Sequence, residues 1–380
     1  MKKTIVITAI IVFFIASVVT TLHARAPHQV DVNFKMVEKG ISWLEFINTG
    51  AEPSAVKDYF MTHVAPTAGC KSIIRHWARF MEWNNEIFYE WIAKAIGLSP
   101  TKEPLKKKDG TLTSLGNCKK LWTKALKNTE GMKKHLKLLK DKNLKREAID
   151  FALKNLPPGT TLKADFHFVL FGYSTAFSIG NENGYDFLQL SLNEKGNPDV
   201  EELVTTMAHE LHHTGVSSLT NLYMKDIKNK HRIILVGVMT AEGMATYLID
   251  RPFEKLEAYK KSRSNVYRQV AKDWEKHSAR IDELYKEAER DIRLCIEEKA
   301  DKNKLFNHWL GGVKGAAYIL GSHLLSVIDK HLGRDAVLEL AKDYRYLLQV
   351  YNKAAAIANK KGEKRFIFDS RLADLVANID

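Results

Sequence analysis

Apolar residues recur at helical spacing through most of the chain. In "APTAGCKSIIRHWARFMEWNNEIFYEWIAKAIG" the positions Ile73, Ile74, Trp77, Phe80, Met81, Ile87, Phe88 and Trp91 fall near a 3.6-residue period, which predicts packed helices. From Asp31 to about Leu156 the pattern stays helical, interrupted by the polar loop "KEPLKKKDGTLTSLGN" and stopped by "LPPGT". The aromatic residues of this region fit inter-helix packing rather than a ligand box.

The pattern changes at Thr161. "LKADFHFVLFGY", "TAFSIG" and "YDFLQLSL" are short runs rich in Phe, Leu and Tyr, as strands are, and "NENG" suits a tight reversal between the last two. These runs predict a small, at least partly antiparallel sheet of three or more strands.

The most regular helix comes next. Asn197 is a suitable N-cap, Pro198 fits the first turn, and Asp199, Glu201 and Glu202 complement the helix N-terminus. Val200, Leu203, Val204, Met207, Ala208 and Leu211 then form an unbroken core stripe, and Gly215 is the expected terminator. A second apolar helix, "HRIILVGVMTAEGMATYLID", ends before Pro252. Residues 254–300 predict long exposed helices, and "GGVKGAAYILGSHLLSVIDKHLG" and "RDAVLELAKDYRYLLQVY" add two more. No internal repeat is visible.

Composition modifies this picture at the ends and on the surface. Met1-Lys2-Lys3, an apolar run and Ala24-Arg25-Ala26 before Pro27 have the layout of a secretory signal peptide, with an uncleaved N-terminal anchor as the alternative. No cysteine follows closely enough for lipid attachment, and no later segment reads as apolar enough to span a bilayer. Export to the periplasm or beyond is therefore expected. The net charge of +13 becomes +10 without Lys2, Lys3 and Arg25. The lysines are spread over helical faces with acids beside them, which favours a solvated exterior over nucleic-acid binding, since no nucleic-acid fold signature accompanies the charge. Electrostatic association with an anionic envelope surface is the weaker alternative. Cys70, Cys118 and Cys295 leave open one disulfide, Cys70–Cys118, or three buried thiols.

The candidate chemistry lies in "TTMAHELHHTGVSS". His209-Glu210-Leu211-His212-His213 satisfies H-E-x-x-H. Residues four apart on a helix are separated by about 40° and about 6 Å, so His209 and His213 leave one face and can converge on one ion. Glu210 stands one step round, placed to take a proton from the attacking water without ligating the metal. His212 points elsewhere and reads as a packed imidazole. A catalytic zinc needs a third protein ligand and an open position. The extension that would supply a third histidine is absent, because Val216 and Leu219 occupy those places. Glu242, 29 residues after His213, is the candidate instead. An acid within "IILVGVMTAEGMATYL" is costly to bury without compensation, which a metal or a buried salt bridge would provide. Gly243 and Ala245 would let its helix approach the first closely.

An HExxH helix followed by a glutamate in an E-G-x-A context resembles the gluzincin branch of zinc metallopeptidases. The HELHH and AEGMA pair, with helices before it, is more particularly similar to an uncharacterised bacterial family of zinc-dependent peptidases, over about residues 160–330. The resemblance implies His209, His213 and Glu242 as ligands of one Zn2+ and Glu210 as catalytic base. One position departs from it. Thermolysin-like members carry an aspartate four residues beyond the ligand glutamate to orient a ligand histidine, and Thr246 stands there in this chain. Such enzymes also need an oxyanion donor, for which Tyr318 is the first candidate, ahead of Tyr247 and His323. A cleft-side edge strand that aligns the peptide is expected as well, and "YDFLQLSL" is nearest in sequence to the motif helix.

The expectation is thus a predominantly helical α+β protein. Residues 1–26 are the signal peptide or anchor, 27–156 an N-terminal helical region, 157–252 a zincin-like catalytic core and 253–380 a C-terminal helical region. Its function would be zinc-dependent cleavage of a peptide or protein substrate. The alternative is a zinc-stabilised envelope or binding protein without turnover, whose metal would be closed by four protein ligands.

Overall fold

A computed structural model of the chain describes residues 28–79, 82–107, 112–262 and 265–380. The signal-peptide call on residues 1–26 lies outside them.

The N-terminal part contains strand β1 (Gln29–Asn33) and helices α1 (Lys35–Asn48), α2 (Pro53–Tyr59), α3 (Ala68–Trp77), α4 (Asn85–Ile96), α5 (Ser114–Leu126), α6 (Thr129–Lys140) and α7 (Leu144–Lys154). Strands β2 (Lys163–Val169), β3 (Ala176–Ile179) and β4 (Glu182–Asp186) follow, and then helices α8 (Val200–Tyr223) and α9 (Ile234–Ala245). The remainder is α10 (Pro252–Lys261), α11 (Asn265–Ser278), α12 (Ile281–Ile296), α13 (Lys302–Trp309), α14 (Ala316–Leu332), α15 (Arg334–Glu339), α16 (Leu347–Lys360) and α17 (Ser370–Ala377). The protein is therefore α+β and predominantly helical, as the apolar periodicity predicts.

The sheet is mixed, in the order β1-β2-β4-β3, with β1, β2 and β4 parallel and β3 antiparallel at one edge. Strand β1 falls where helices are expected. It is held by pairing with β2, from Gln29↔Lys163 to Asn33↔His167, a partner that local periodicity does not reveal. The reversal between β3 and β4 is centred on Gly180, whose φ of 59° suits a tight turn, and most of "NENG" is itself strand. "YDFLQLSL" is not the edge strand. Only Tyr185 and Asp186 of it lie in β4, which is interior, and the chain then turns through Phe187–Gln189. The turn is fixed by the buried Asp186 carboxylate, which accepts the backbone N–H groups of Phe171, Gly172 and Leu188. The edges of the sheet are β1 and β3.

Helices α1 and α3 cover one face of the sheet, and α8 lies on the other with α7 packed along it. Asn183 of β4 and Thr214 of α8 exchange hydrogen bonds at 3.0 and 3.1 Å in a buried position, which locks the sheet to the helix. Helix α8 starts later than expected: Asp199 is its N-cap, accepting the Glu202 N–H, while Pro198 pairs with Leu192 in an isolated bridge. Gly215 does not end the helix. It is a packing glycine, and a Cβ there would stand 2.4 Å from the Leu156 side chain. Helix α9 packs most extensively on α14, where Gly243 meets Gly321 backbone to backbone. The small residue therefore admits α14 rather than α8, as the E-G-x-A context alone does not tell.

One hydrophobic cluster runs through all three expected regions, from Val30 through Leu211 to Val376. Residues 254–300 are less exposed than expected, since α12 buries Leu284, Tyr285, Ala288 and Ile292. By length and composition, residues 230–250 are apolar enough to cross a membrane, contrary to the sequence expectation, but 61% of that window is buried inside the fold. The three cysteines are buried free thiols, which settles the choice against a Cys70–Cys118 disulfide.

Candidate metal centre

Helix α8 presents His209 and His213 toward α9 because they lie one turn apart on the side of its apolar stripe. Their rings stand at 84° with Nε2 atoms 3.1 Å apart. Glu242 comes from α9, with its Oε2 at 3.2 Å from His213 Nε2 and 3.6 Å from His209 Nε2. The three expected ligands are thus brought together, and as a group they could hold a metal ion.

The donor set can be tested against zinc. Atoms about 2.0–2.1 Å from a tetrahedral centre stand about 3.3 Å from one another. The observed separations of 3.1, 3.2 and 3.6 Å bracket that value. Glu242 Oε2 is buried and forms no hydrogen bond, although His213 Nε2 is 3.2 Å away. An unsatisfied carboxylate oxygen beside two imidazole nitrogens is the donor chemistry of a borderline-soft dication, and the residues fit zinc. Among the described residues no lysine or arginine pairs with Glu242, and its charge is balanced only by the imidazoles of His209 and His213.

Electrostatics follow the same geometry. Burial opposes the charge of Glu242, but the imidazoles of His213 and His209 outweigh it and hold its carboxyl well below the usual range. Glu210 is buried beside the pair and makes no ion pair among the described residues. Burial pushes its carboxyl up, against the pull of His209 and His213. A carboxylate so placed is a better proton acceptor than an exposed one. His212 behaves as expected of a packed imidazole. It is fully buried, donates Nε2–H to the Asn155 carbonyl at 3.1 Å, and is held neutral by burial, its pKa lowered to about 3.

Two residues behind the site lie outside the HExxH and E-G-x-A patterns. Asp250 Oδ1 accepts from His209 Nδ1 at 3.0 Å, and its Oδ2 pairs with Lys314 Nζ at 2.7 Å. Asp250 thus occupies the role for which Thr246 is unsuited, one turn further along than in thermolysin-like proteins. The available signal is an acid eight residues after Glu242 on the same helix. Lys314 in turn lies 4.5 Å from the Tyr318 ring centre.

Tyr318 sits on the first turn of α14, with its phenol within electrostatic reach of the Glu242 carboxylate. Burial and the nearby Glu242 and Glu210 charges keep the phenol protonated. The other two oxyanion candidates are elsewhere. Tyr247 donates to Asp329 at 2.9 Å, and His323 is engaged by the Tyr285 hydroxyl at 2.9 Å.

Residues 70–360 fit the family described as "Putative zinc dependent peptidase (DUF5700)". No curated protein and no solved structure matches the chain. A match over that much of the chain, on a segment that contains His209, Glu210, His213 and Glu242, places the protein in this family.

Proposed function

We propose that the protein is a zinc metallopeptidase that hydrolyses peptide bonds, with His209, His213 and Glu242 as the ligands of a single zinc ion. The observation that carries this reading is the convergence of three donor atoms, one of them an unsatisfied buried carboxylate oxygen, directly beside a further carboxylate that ligates nothing.

Bound zinc supplies Lewis acidity, which acidifies water and polarises the scissile carbonyl. Glu210 takes the proton of the attacking water and later passes it to the leaving amine, a role matched to a carboxyl raised by burial. Tyr318 donates its phenolic proton in a hydrogen bond toward the developing oxyanion. Asp250 holds His209 Nδ1–H and so directs Nε2 at the metal, while Lys314 balances the Asp250 charge. The antiparallel edge strand β3, which packs near α8, is positioned to align an extended peptide by main-chain hydrogen bonds. Export remains part of the proposal on the strength of residues 1–26.

Glu210→Gln tests the reading. The variant should retain one zinc per chain and lose peptide hydrolysis by a factor of about 100 or more. Retention of both zinc and full activity would remove Glu210 from the mechanism.

A further inference from the structure

Glu202 stands on the same stripe of α8 as Thr206, His209 and His213. Seven residues of helix place it about 10 Å from His209 along the axis and within about 20° in azimuth. It is half-buried, and its Oε2 is buried without a hydrogen-bond partner. Among the described residues it forms no ion pair, although Lys255 is within electrostatic reach.

An acid at the third position of a helix ordinarily bonds back to the N–H of the capping residue. Here that N–H is already used, because Asp199 donates it to the Ser191 carbonyl at 2.9 Å. The side chain is instead directed to Ser191 and to the Tyr267 hydroxyl, and Tyr267 stacks on Tyr259 at 4.4 Å and 8°. The Tyr259 phenol is within electrostatic reach of both Asp250 and Glu202. Burial, outweighing the nearby Ser191 and Tyr267 hydroxyls and the Lys255 charge, pushes the Glu202 carboxyl up to about 7.

We propose that Glu202 and the Tyr259–Tyr267 pair form a cation subsite beside the metal centre, which takes the lysine or arginine side chain of a peptide residue flanking the scissile bond. A half-buried carboxylate with an unsatisfied acceptor beside aromatic rings is complementary to an ammonium or guanidinium group. Reach selects the side chain over the peptide's α-amine. Five bonds of about 1.5 Å separate a lysine Cα from its ammonium, enough to cover most of the distance to Glu202. An α-ammonium on the flanking residue lies only two bonds from the scissile carbon, too near the metal to reach this carboxylate. The inference rests on the peptidase reading for the identity of its ligand.

Binding tests it separately from turnover. Zinc-loaded Glu210→Gln protein is titrated with alanine-rich peptides in which a single Lys, Arg, Gln, Met or Glu is moved along the sequence. At one position Lys and Arg should bind at least tenfold more tightly than Gln or Met, with Glu weakest. Glu202→Gln in the same background should reduce that preference to less than threefold while zinc content stays at one per chain. Equal affinity across the series, absence of binding included, overturns the subsite, and so does a Lys preference that survives Glu202→Gln. Should Glu202→Gln fail to fold, the peptide series on the Glu210→Gln protein decides alone. Wild-type turnover without any basic preference would leave the peptidase and remove the subsite. Preferential binding of Lys peptides by a wild-type protein that does not cleave them would do the reverse.

Discussion

Asp250 accepts the Nδ1–H of His209 at 3.0 Å from a position two turns beyond Glu242 on the same helix. Eight residues of regular α-helix would overshoot the Glu242 face by about 80°. The final turn, Thr246–Asp250, is instead a wider π turn, closed by the Arg251 N–H to the Thr246 carbonyl at 2.9 Å, and it rotates Asp250 back toward the site. If this hydrogen bond orients the imidazole for metal, Asp250→Asn should weaken zinc binding about 10- to 100-fold. Competition against a chromogenic chelator measures this. An unchanged affinity would show that His209 needs no such support.

The same pair sets the proton balance of metal uptake. In the metal-free protein burial works against a charged His209, but the Asp250 carboxylate, with help from Glu242, pushes it up from 6.5 to about 10. Zinc must displace that proton at neutral pH. Calorimetry in buffers of different ionisation enthalpy should therefore find about one proton released per zinc at pH 7.5, and affinity should rise about tenfold per pH unit from pH 7 to 9. The sign carries over to stability. A raised folded-state pKa stabilises the metal-free fold fully below about pH 6.5 and progressively less as pH climbs toward 10, so the Tm gain on adding zinc should widen over that window. Zinc uptake with no proton release would contradict this.

In the proposed mechanism Tyr318 acts on the reaction and not on the ion. Tyr318→Phe should lower kcat by about 100-fold, comparable to the loss of one oxyanion donor elsewhere, with zinc content and KM little changed. A variant with normal kcat would exclude the phenol as donor.

Gly243 and Gly321 allow α9 and α14 to touch through their backbones. A Cβ on Gly243 would stand 2.5 Å from the Gly321 carbonyl carbon, and one on Gly321 2.1 Å from the Met239 carbonyl oxygen. Backbone cannot step aside as a flexible side chain can, so Gly243→Ala should destabilise the protein by about 1–3 kcal/mol and shift Glu242 away from His209 and His213. Urea denaturation with zinc present checks the first part and a zinc titration the second. Unaltered stability would mean that the two helices have room to separate.

How much of this was readable beforehand depended on how local each cause is. His209, Glu210 and His213 lie within one helical turn, so helix geometry alone brings them together. Glu242 could be singled out because its neighbours are apolar and an acid among them needs compensation. Asp250 was hidden because its register depends on a π turn, which residue spacing does not encode. Strand β1 was missed because its partner β2 lies more than a hundred residues away, and the inner position of β4 followed from the same parallel pairing. Gly215 reads locally as a helix terminator and Gly243 as a contact to α8, whereas they pack on Leu156 and Gly321, since a glycine's packing partner is a property of the tertiary fold.

The most direct test is the position of the metal itself. Diffraction data collected on either side of the zinc absorption edge from crystals of the full chain should give one anomalous peak about 2 Å from His209 Nε2, His213 Nε2 and a Glu242 carboxylate oxygen, with the fourth position taken by solvent. No peak at that point after zinc loading, or an ion closed off by four protein side chains, would contradict the account.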